Sequence, residues 1–315
     1  MKVAVLIMGT HGQPSERNTD AFIETVIKYQ NEISSTLKHS YDFYVYRSTG
    51  TRIDGESNAV LIKNDRCPNL WDIEINEQEG VYRTFEKTYY ALGCISRYDM
   101  YVRINTSMFI NIDLLDSVIN QMDKKNVYCN AINAHLNANS PDWLNHIYPR
   151  GDMMIFGNYI KKFILDEGKK YLYCDTNLNN RPYIEHVDDC LIGACIKDGG
   201  GKQYCNHIQM IKYNYIPYFN LSDIKSVNDF AIGSRLKTVP PDKNYSGYSW
   251  EDNEYRKIDV DKFWWMKNHI DKIDKEQYRK VNINDLLADG EYSRPVACVN
   301  VFNVNISELR KFLIQ

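Results

Sequence analysis

Short runs of consecutive apolar residues alternate along this chain with longer stretches in which apolar residues return every three or four positions. The first run, apolar from Val3 to Met8 after Lys2 and closed by Gly9, predicts a buried strand of a parallel sheet. A polar loop over residues 10–18 leads into a helix opening near Thr19, with Phe22, Ile23, Val26, Ile27 and Ile33 on one side. Residues 41–46 and 59–62 read as the next two strands. Residues 80–97 read as an amphipathic helix striped by Val81, Phe85, Tyr89, Leu92 and Ile95.

Residues 98–115 are the most informative stretch. Met100, Tyr101, Val102 and Ile104 predict a strand, and polarity breaks in at Arg103, Asn105, Thr106 and Ser107. From Asn111 the spacing of Ile112, Leu115, Val118, Ile119 and Met122 is helical. A strand end, a polar turn and a helix give the crevice where open α/β sheets bind ligands. Further strands are expected at 127–132 and 152–156, the latter broken by Gly157, with helices after Gly157 and over 185–198. Strands alternating with helices predict an α/β fold, its sheet mostly parallel and covered on both faces.

From about residue 204 the alternation weakens. Residues 208–216 read as a strand, 222–255 as polar and turn-rich, the segment around Phe263, Trp264, Trp265 and Ile270 as a helix, and 296–304 as a strand before a short final helix. This divides the chain into a main domain over 1–220 and a C-terminal loop and helical extension over 221–315, packed on the same domain.

The 315 residues, 43% of them hydrophobic, are enough to bury one large core. A net charge of −3 argues against a general nucleic-acid binder. The first apolar run is too short for a signal peptide or membrane span and no other window reaches transmembrane length, so a cytoplasmic protein is expected. Its eight scattered cysteines lack zinc spacing and are expected to be reduced core thiols. The sequons at Asn105, Asn220, Asn244 and Asn305 are expected to be incidental.

Candidate chemistry lies in three places. Asp188 and Asp189 open an otherwise apolar segment, where they either cap a helix or present a carboxylate that takes a proton from a bound hydroxyl. Lys87 shares a helix face with Arg83 and Thr84, a solvated basic face or a cationic rim over an anionic ligand. Arg235 and Lys237 project from a Gly/Ser-containing turn able to close over phosphates. His186 and His207 lack a second ligand at metal-binding spacing, and the aromatics of 245–250 serve packing or stacking on a sugar or base.

These stretches carry a family resemblance. Tyr82-Arg-Thr-Phe-Glu-Lys-Thr88 is similar to the Tyr-x-Asn-Leu-Thr-x-Lys-Thr helix of the β-1,3-galactosyltransferase and Fringe-like inverting glycosyltransferases. Residues 98–115 resemble their Lys-x-Asp-Asp-Asp-x-Phe-Val-Asn-x-x-x-Leu strand and turn. Gly151-Asp-Met-Met-Ile-Phe-Gly-Asn158 resembles their Gly-Gly-x-Gly-Tyr-x-x-Ser segment, and Asp188-Asp-Cys-Leu-Ile-Gly193 their Glu-Asp-Val-x-x-Gly segment. The order agrees over residues 2–193.

The resemblance implies a GT-A (Rossmann-like) fold, a nucleotide-sugar donor, and inverting transfer to a glycan or lipid-linked acceptor in polysaccharide biosynthesis. It makes Asp189 the base, with Asp188 second. It places Thr10, Gly12, Arg17 and Lys87 near the donor, and Asp152 near sugar or acceptor. One departure stands out: the family's metal-holding Asp-Asp-Asp is here Asn105-Thr106-Ser107. Mn²⁺ and Mg²⁺ want carboxylate oxygens, so no metal ligand is assigned and the metal site reads as lost or weakened. Arg103, Asn105, Thr106 and Ser107 would then line the donor site, and Arg103, Arg235 or Lys237 would neutralise the leaving diphosphate. The rival readings are a GT-A pseudoenzyme acting as a binding or scaffolding protein, and a nucleotidyltransferase.

Overall fold

A computed structural model describes residues 1–9, 20–33, 37–65, 67, 69–78, 83–96, 98–135, 146–150, 152–173, 187–238 and 253–288. Its elements are, in order, β1 (Lys2–Met8), α1 (Asp20–Ile33), β2 (Ser40–Gly50), β3 (Ala59–Lys63), β4 (Leu70–Gln78), α2 (Thr84–Cys94), β5 (Met100–Asn105), β6 (Met108–Ile110), α3 (Ile112–Val118), β7 (Val127–Cys129), β8 (Ile132–His135), β9 (His146–Pro149), β10 (Met153–Gly157), α4 (Asn158–Glu167), α5 (Val187–Gly200), β11 (Ile208–Met210), β12 (Tyr213–Tyr215), β13 (Gly233–Arg235), α6 (Asn253–Ile270), α7 (Lys275–Tyr278) and α8 (Ile283–Leu286).

Val3 to Leu6 of β1 are fully buried, as a strand with no polar face must be. β1 sits near the middle of an eight-stranded sheet of order β11-β7-β10-β5-β1-β2-β4-β3. It is parallel to β2 and β5, and β2 is parallel to β4. Two strands run against the majority: β10, between β5 and β7, and the edge strand β3. The architecture is therefore a mixed α/β fold with a large, mostly parallel central sheet and helices on both faces.

The strand period of two divides the core into two layers. On β5, Met100, Val102 and Ile104 join the layer that includes Val26 and Ile27 of α1, Leu114 of α3 and Phe263 of α6. Tyr101 joins Phe85 of α2, Ile160 of α4 and Leu191 of α5 on the opposite face. Two expected strands are each divided. Residues 127–132 form β7 and β8 on either side of Asn130, and residues 208–216 form β11 and β12, which belong to different sheets. The expected turn at 232–237 contains β13, buried and paired with β6 and β12. Residues 10–18, 239–252 and 289–315, with the features expected there, lie outside the described residues.

The chain beyond residue 220 closes the same core. α6 packs on α1, and Asn111 donates to the Tyr278 hydroxyl at 3.0 Å. Lys262, fully buried on α6, donates to the carbonyls of Ile216 and Leu236, both at 3.0 Å, and to Thr238 Oγ1 at 2.8 Å. Asp259, one turn earlier, accepts from the Thr238 backbone N–H at 2.8 Å and from its hydroxyl at 2.6 Å. No helix among the described residues is long and apolar enough to cross a membrane.

Burial pushes the Lys262 ammonium down to about 8 from its ordinary 10.5, against the opposing pull of Asp259. Between those values the unfolded chain binds more protons than the folded one, so this lysine makes stability rise with pH across that window. The full rise is about 3 kcal/mol. Urea unfolding over pH 7 to 11 should therefore show a shallower rise for Lys262→Met than for the wild type; identical slopes would refute this.

Gly193 is demanded by packing. A Cβ there would lie 2.3 Å from Tyr148 Cβ and 2.9 Å from the His146 ring, so α5 could not reach β9. Gly193→Ala should cost about 1–3 kcal/mol in urea unfolding, and an unchanged midpoint would show that α5 can shift at no cost.

Candidate functional site

From β1 the chain runs outward through β2 and β4 on one side, then returns to place β5 on the other. The C-terminal ends of β1 and β5 thus form the switch point of the sheet, where α/β folds open a ligand crevice. Gly9 ends β1, and Met8 pairs with Asn105, the last residue of β5. Lys87, only 1% exposed on α2, reaches the Gly9 carbonyl at 3.4 Å, whereas Arg83 of the same predicted face is partly exposed and pairs with Glu86 at 3.1 Å.

Arg103 lies two residues before the end of β5 on the face covered by α2 and α5, and is 1% exposed. Its Nη2 donates to Asp188 Oδ2 at 2.5 Å, and its Nε to the Tyr46 hydroxyl at 3.2 Å. Tyr46 shares a 3.0 Å hydrogen bond with Thr88 of α2. Burial alone would lower the guanidinium pKa, but Asp188, with Tyr46 and Asp189 behind it, raises it above the ordinary value. Arg103, expected among the diphosphate-neutralising cations, is paired with Asp188. Asp189, the next residue of the first turn of α5, is 3% exposed.

A second charged group forms beside Asn105, whose backbone N–H donates to the Asp152 carbonyl at 3.1 Å. Oδ2 of the Asp152 carboxylate accepts from Arg150 Nε at 2.9 Å, Arg235 Nη1 at 3.0 Å and Asn130 Nδ2 at 3.2 Å. Arg235 reaches it because β13 pairs with β6 directly after the polar turn, with Arg235 opposite Met108 and the Leu236 N–H donating to the Ser107 carbonyl at 2.8 Å. Arg235 and Lys237, expected on a turn able to close over phosphates, are 5% and 9% exposed.

The sequence reading missed Arg150 and Asn130. Arg150 stands two residues before Asp152, so in extended chain the two share a side. Asn130 carried no signal: only the antiparallel pairing of β10 with β7 brings it to Asp152. Three buried polar atoms at this edge, Arg103 Nη1, Asn105 Oδ1 and Asn130 Oδ1, have no hydrogen-bond partner among the described residues. Such orphans are rare in folded proteins, and others lie away from this edge, at Tyr41 and Glu77. Thr106 is buried in the same turn. Thr10, Gly12, Arg17, His186 and residues 245–250 lie outside the described residues. His207 packs against the Tyr159 ring, remote from this edge in sequence and fold.

The donor set does not suit a divalent cation. Among the described residues no three His, Cys, Asp or Glu side chains gather to hold one. The polar turn offers neutral oxygens, and Asp152 already faces two guanidiniums. Unit charges 4 Å apart repel by about 4 kcal/mol at an effective dielectric of 20, and a dication doubles this for each arginine. The six cysteines among the described residues are free thiols.

No protein-family model matches this chain. No curated protein matches it either. Solved structures of similar architecture include glycosyltransferases. The galactosyltransferase LgtC, in complex with donor and acceptor sugar analogues, is 10% identical, with 88% of this chain and 100% of that one aligned at a TM-score of 0.45. The glycosyltransferase GlyE of Streptococcus pneumoniae TIGR4 is 11% identical, over 84% of this chain and 64% of that one, at a TM-score of 0.37. At TM-scores below 0.5 neither likeness bears on the chemistry of this chain.

Proposed function

We propose that this chain is a GT-A-type glycosyltransferase that moves a sugar from a nucleotide-diphosphate donor to a hydroxyl of a glycan or lipid-linked acceptor. One observation supports this most: the switch point between β1 and β5 gathers Lys87, Asn105 and the Asp152 arginine group, with Asp189 beside Arg103. Cations suit the donor phosphates, amide oxygens suit sugar hydroxyls, and a carboxylate suits the acceptor proton.

In the proposed reaction Asp189 takes the proton of the acceptor hydroxyl. The acceptor oxygen bonds to the anomeric carbon of the donor. The bond from that carbon to the diphosphate breaks, its electron pair leaving with the nucleoside diphosphate, and the anomeric configuration inverts. Asp189 is taken as the base because the Asp188-Asp189 segment resembles the family's Glu-Asp segment, which carries it; Asp188 pairs with Arg103. The same ion pair favours the rival reading, a non-catalytic binding protein on this fold, since it gives Asp188 a structural purpose.

A thermal-shift screen of UDP-, GDP-, dTDP- and CMP-sugars tests the proposal. A ligand bound only by the native state at a hundred times its Kd stabilises by about 2.7 kcal/mol. One diphosphate sugar should stabilise the chain and, with an acceptor, yield a product of inverted configuration by NMR. A product that keeps the donor configuration would remove Asp189 from the role of base. Binding without turnover over an acceptor panel would put the non-catalytic reading ahead.

A further inference from the structure

We infer that two copies of this chain pair through the edge strand β3, antiparallel, with the two-fold axis at Leu61. Edge strands present unpaired backbone groups, and proteins commonly blunt them with charge, proline or covering chain. The far edge of the eight-stranded sheet is covered in this way. Beside β11 the Lys212 N–H donates to the Leu286 carbonyl at 2.8 Å, and the Ala288 N–H to the Met210 carbonyl at 2.9 Å. β3 stands open. Its consecutive residues Val60, Leu61 and Ile62 are 50%, 41% and 40% exposed, and its one charged residue, Lys63, comes last.

The pairing with β4 decides which backbone groups face outward. The Asn76 N–H donates to the Asn58 carbonyl at 3.0 Å and the Asn64 N–H to the Leu70 carbonyl at 3.1 Å, so residues 58, 60, 62 and 64 bond to β4. Ala59, Leu61 and Lys63 therefore aim their N–H and C=O groups off the sheet. Of these groups the Ala59 carbonyl accepts from Ser57 Oγ at 3.0 Å, and the others have no hydrogen bond among the described residues. This outward set is symmetric about Leu61. In an antiparallel copy Leu61 meets Leu61, Ala59 meets Lys63, and Val60 packs on Ile62, apolar against apolar. The two lysines then lie four residues apart along the strands, about 14 Å, more than a Debye length. Each lies toward the end of the copy that carries the exposed Glu56, three residues before β3. A parallel copy in register would set Lys63 on Lys63. With the β11 edge closed, β3 has no head-to-tail partner on the sheet, so the contact ends in a dimer rather than a filament. β3 is three strands from β1, so the pairing leaves the switch point open and is independent of the sugar-transfer reading.

Sedimentation velocity on the full chain tests the inference. A five-residue edge contact is smaller than the about 1,200–2,000 Å² of stable complexes, so a Kd of about 10–100 μM is expected. Leu61→Pro removes an outward N–H and no bond to β4, at a position where a strand tolerates proline. Two hydrogen bonds are lost by symmetry, so the Kd should rise about tenfold or more. Leu61→Lys, which sets two ammonium groups face to face on the axis, should do the same and serves where the proline variant does not fold by circular dichroism. In Leu61→Cys the substituted positions would meet at a Cα separation of about 5.5 Å, within disulfide reach. Mild oxidation should therefore link them to each other, as peptide mapping would show. A chain that stays monomeric throughout this range would overturn the inference. So would a dimer that the folded Leu61 variants leave unchanged, or one in which the Leu61→Cys positions do not cross-link.

Discussion

Asp189→Asn is expected to lower the transfer rate by about 10²- to 10⁴-fold, the contribution of a positioned general base. Its affinity for the donor should be unchanged, because the substitution keeps the shape and removes only the ability to take a proton. Asp188→Asn makes the informative contrast. Asp188 accepts the 2.5 Å bond from buried Arg103, so its loss strands a charge in the core and should register first in urea unfolding. Steady-state rates, donor calorimetry and unfolding on the two variants separate the roles. If Asp189→Asn retains more than about a tenth of the rate, well inside the span for a lost base, the base lies elsewhere. A stable but inactive Asp188→Asn would exchange the two assignments.

The elements read best from sequence were those whose pattern is set by burial on one or both faces. β1, apolar from Val3 to Met8, and α6, with Phe263 and Met266 turned into the core, were expected where they stand. β4 was not, although Trp71, Ile73 and Ile75 alternate with Asp72, Glu74 and Asn76, the period of two that marks a half-buried strand. β6 and β13 were missed because three-residue strands carry no period; each exists through the partner opposite. The candidate site divides on the same line. Asp188, Asp189 and Asn105 became candidates because polar residues interrupt apolar runs there, and Asp152 through the family resemblance. That Arg103 faces Asp188, and that Arg235 faces Asp152, depends on contacts 85 and 83 residues apart in sequence. No local spacing encodes such pairs.

Arg103→Met is expected to destabilise the fold by about 3–5 kcal/mol, the cost of removing one partner from a buried ion pair. The size follows from where the pair sits. Both side chains are nearly sealed, at 1% and 7% exposure, so water cannot take the place of the lost guanidinium. Asp188 would have to stay charged without its partner or bind a proton, and the Tyr46 hydroxyl would lose a donor from Arg103. A methionine fills much of the volume, so the loss reports charge more than packing. Changing both partners distinguishes this from a cavity effect: Arg103→Met with Asp188→Leu leaves no buried charge, and replacing whole buried pairs with apolar residues is often neutral or stabilising. The double variant should therefore recover most of the stability lost by Arg103→Met alone. A double variant as unstable as the single one would mean that the Tyr46–Thr88 hydrogen bond and α2 packing, rather than the charge on Asp188, set the cost. Binding tells a second thing. If the stable double variant still binds a nucleoside diphosphate, the Arg103–Asp188 pair holds α5 against β5 without touching the donor.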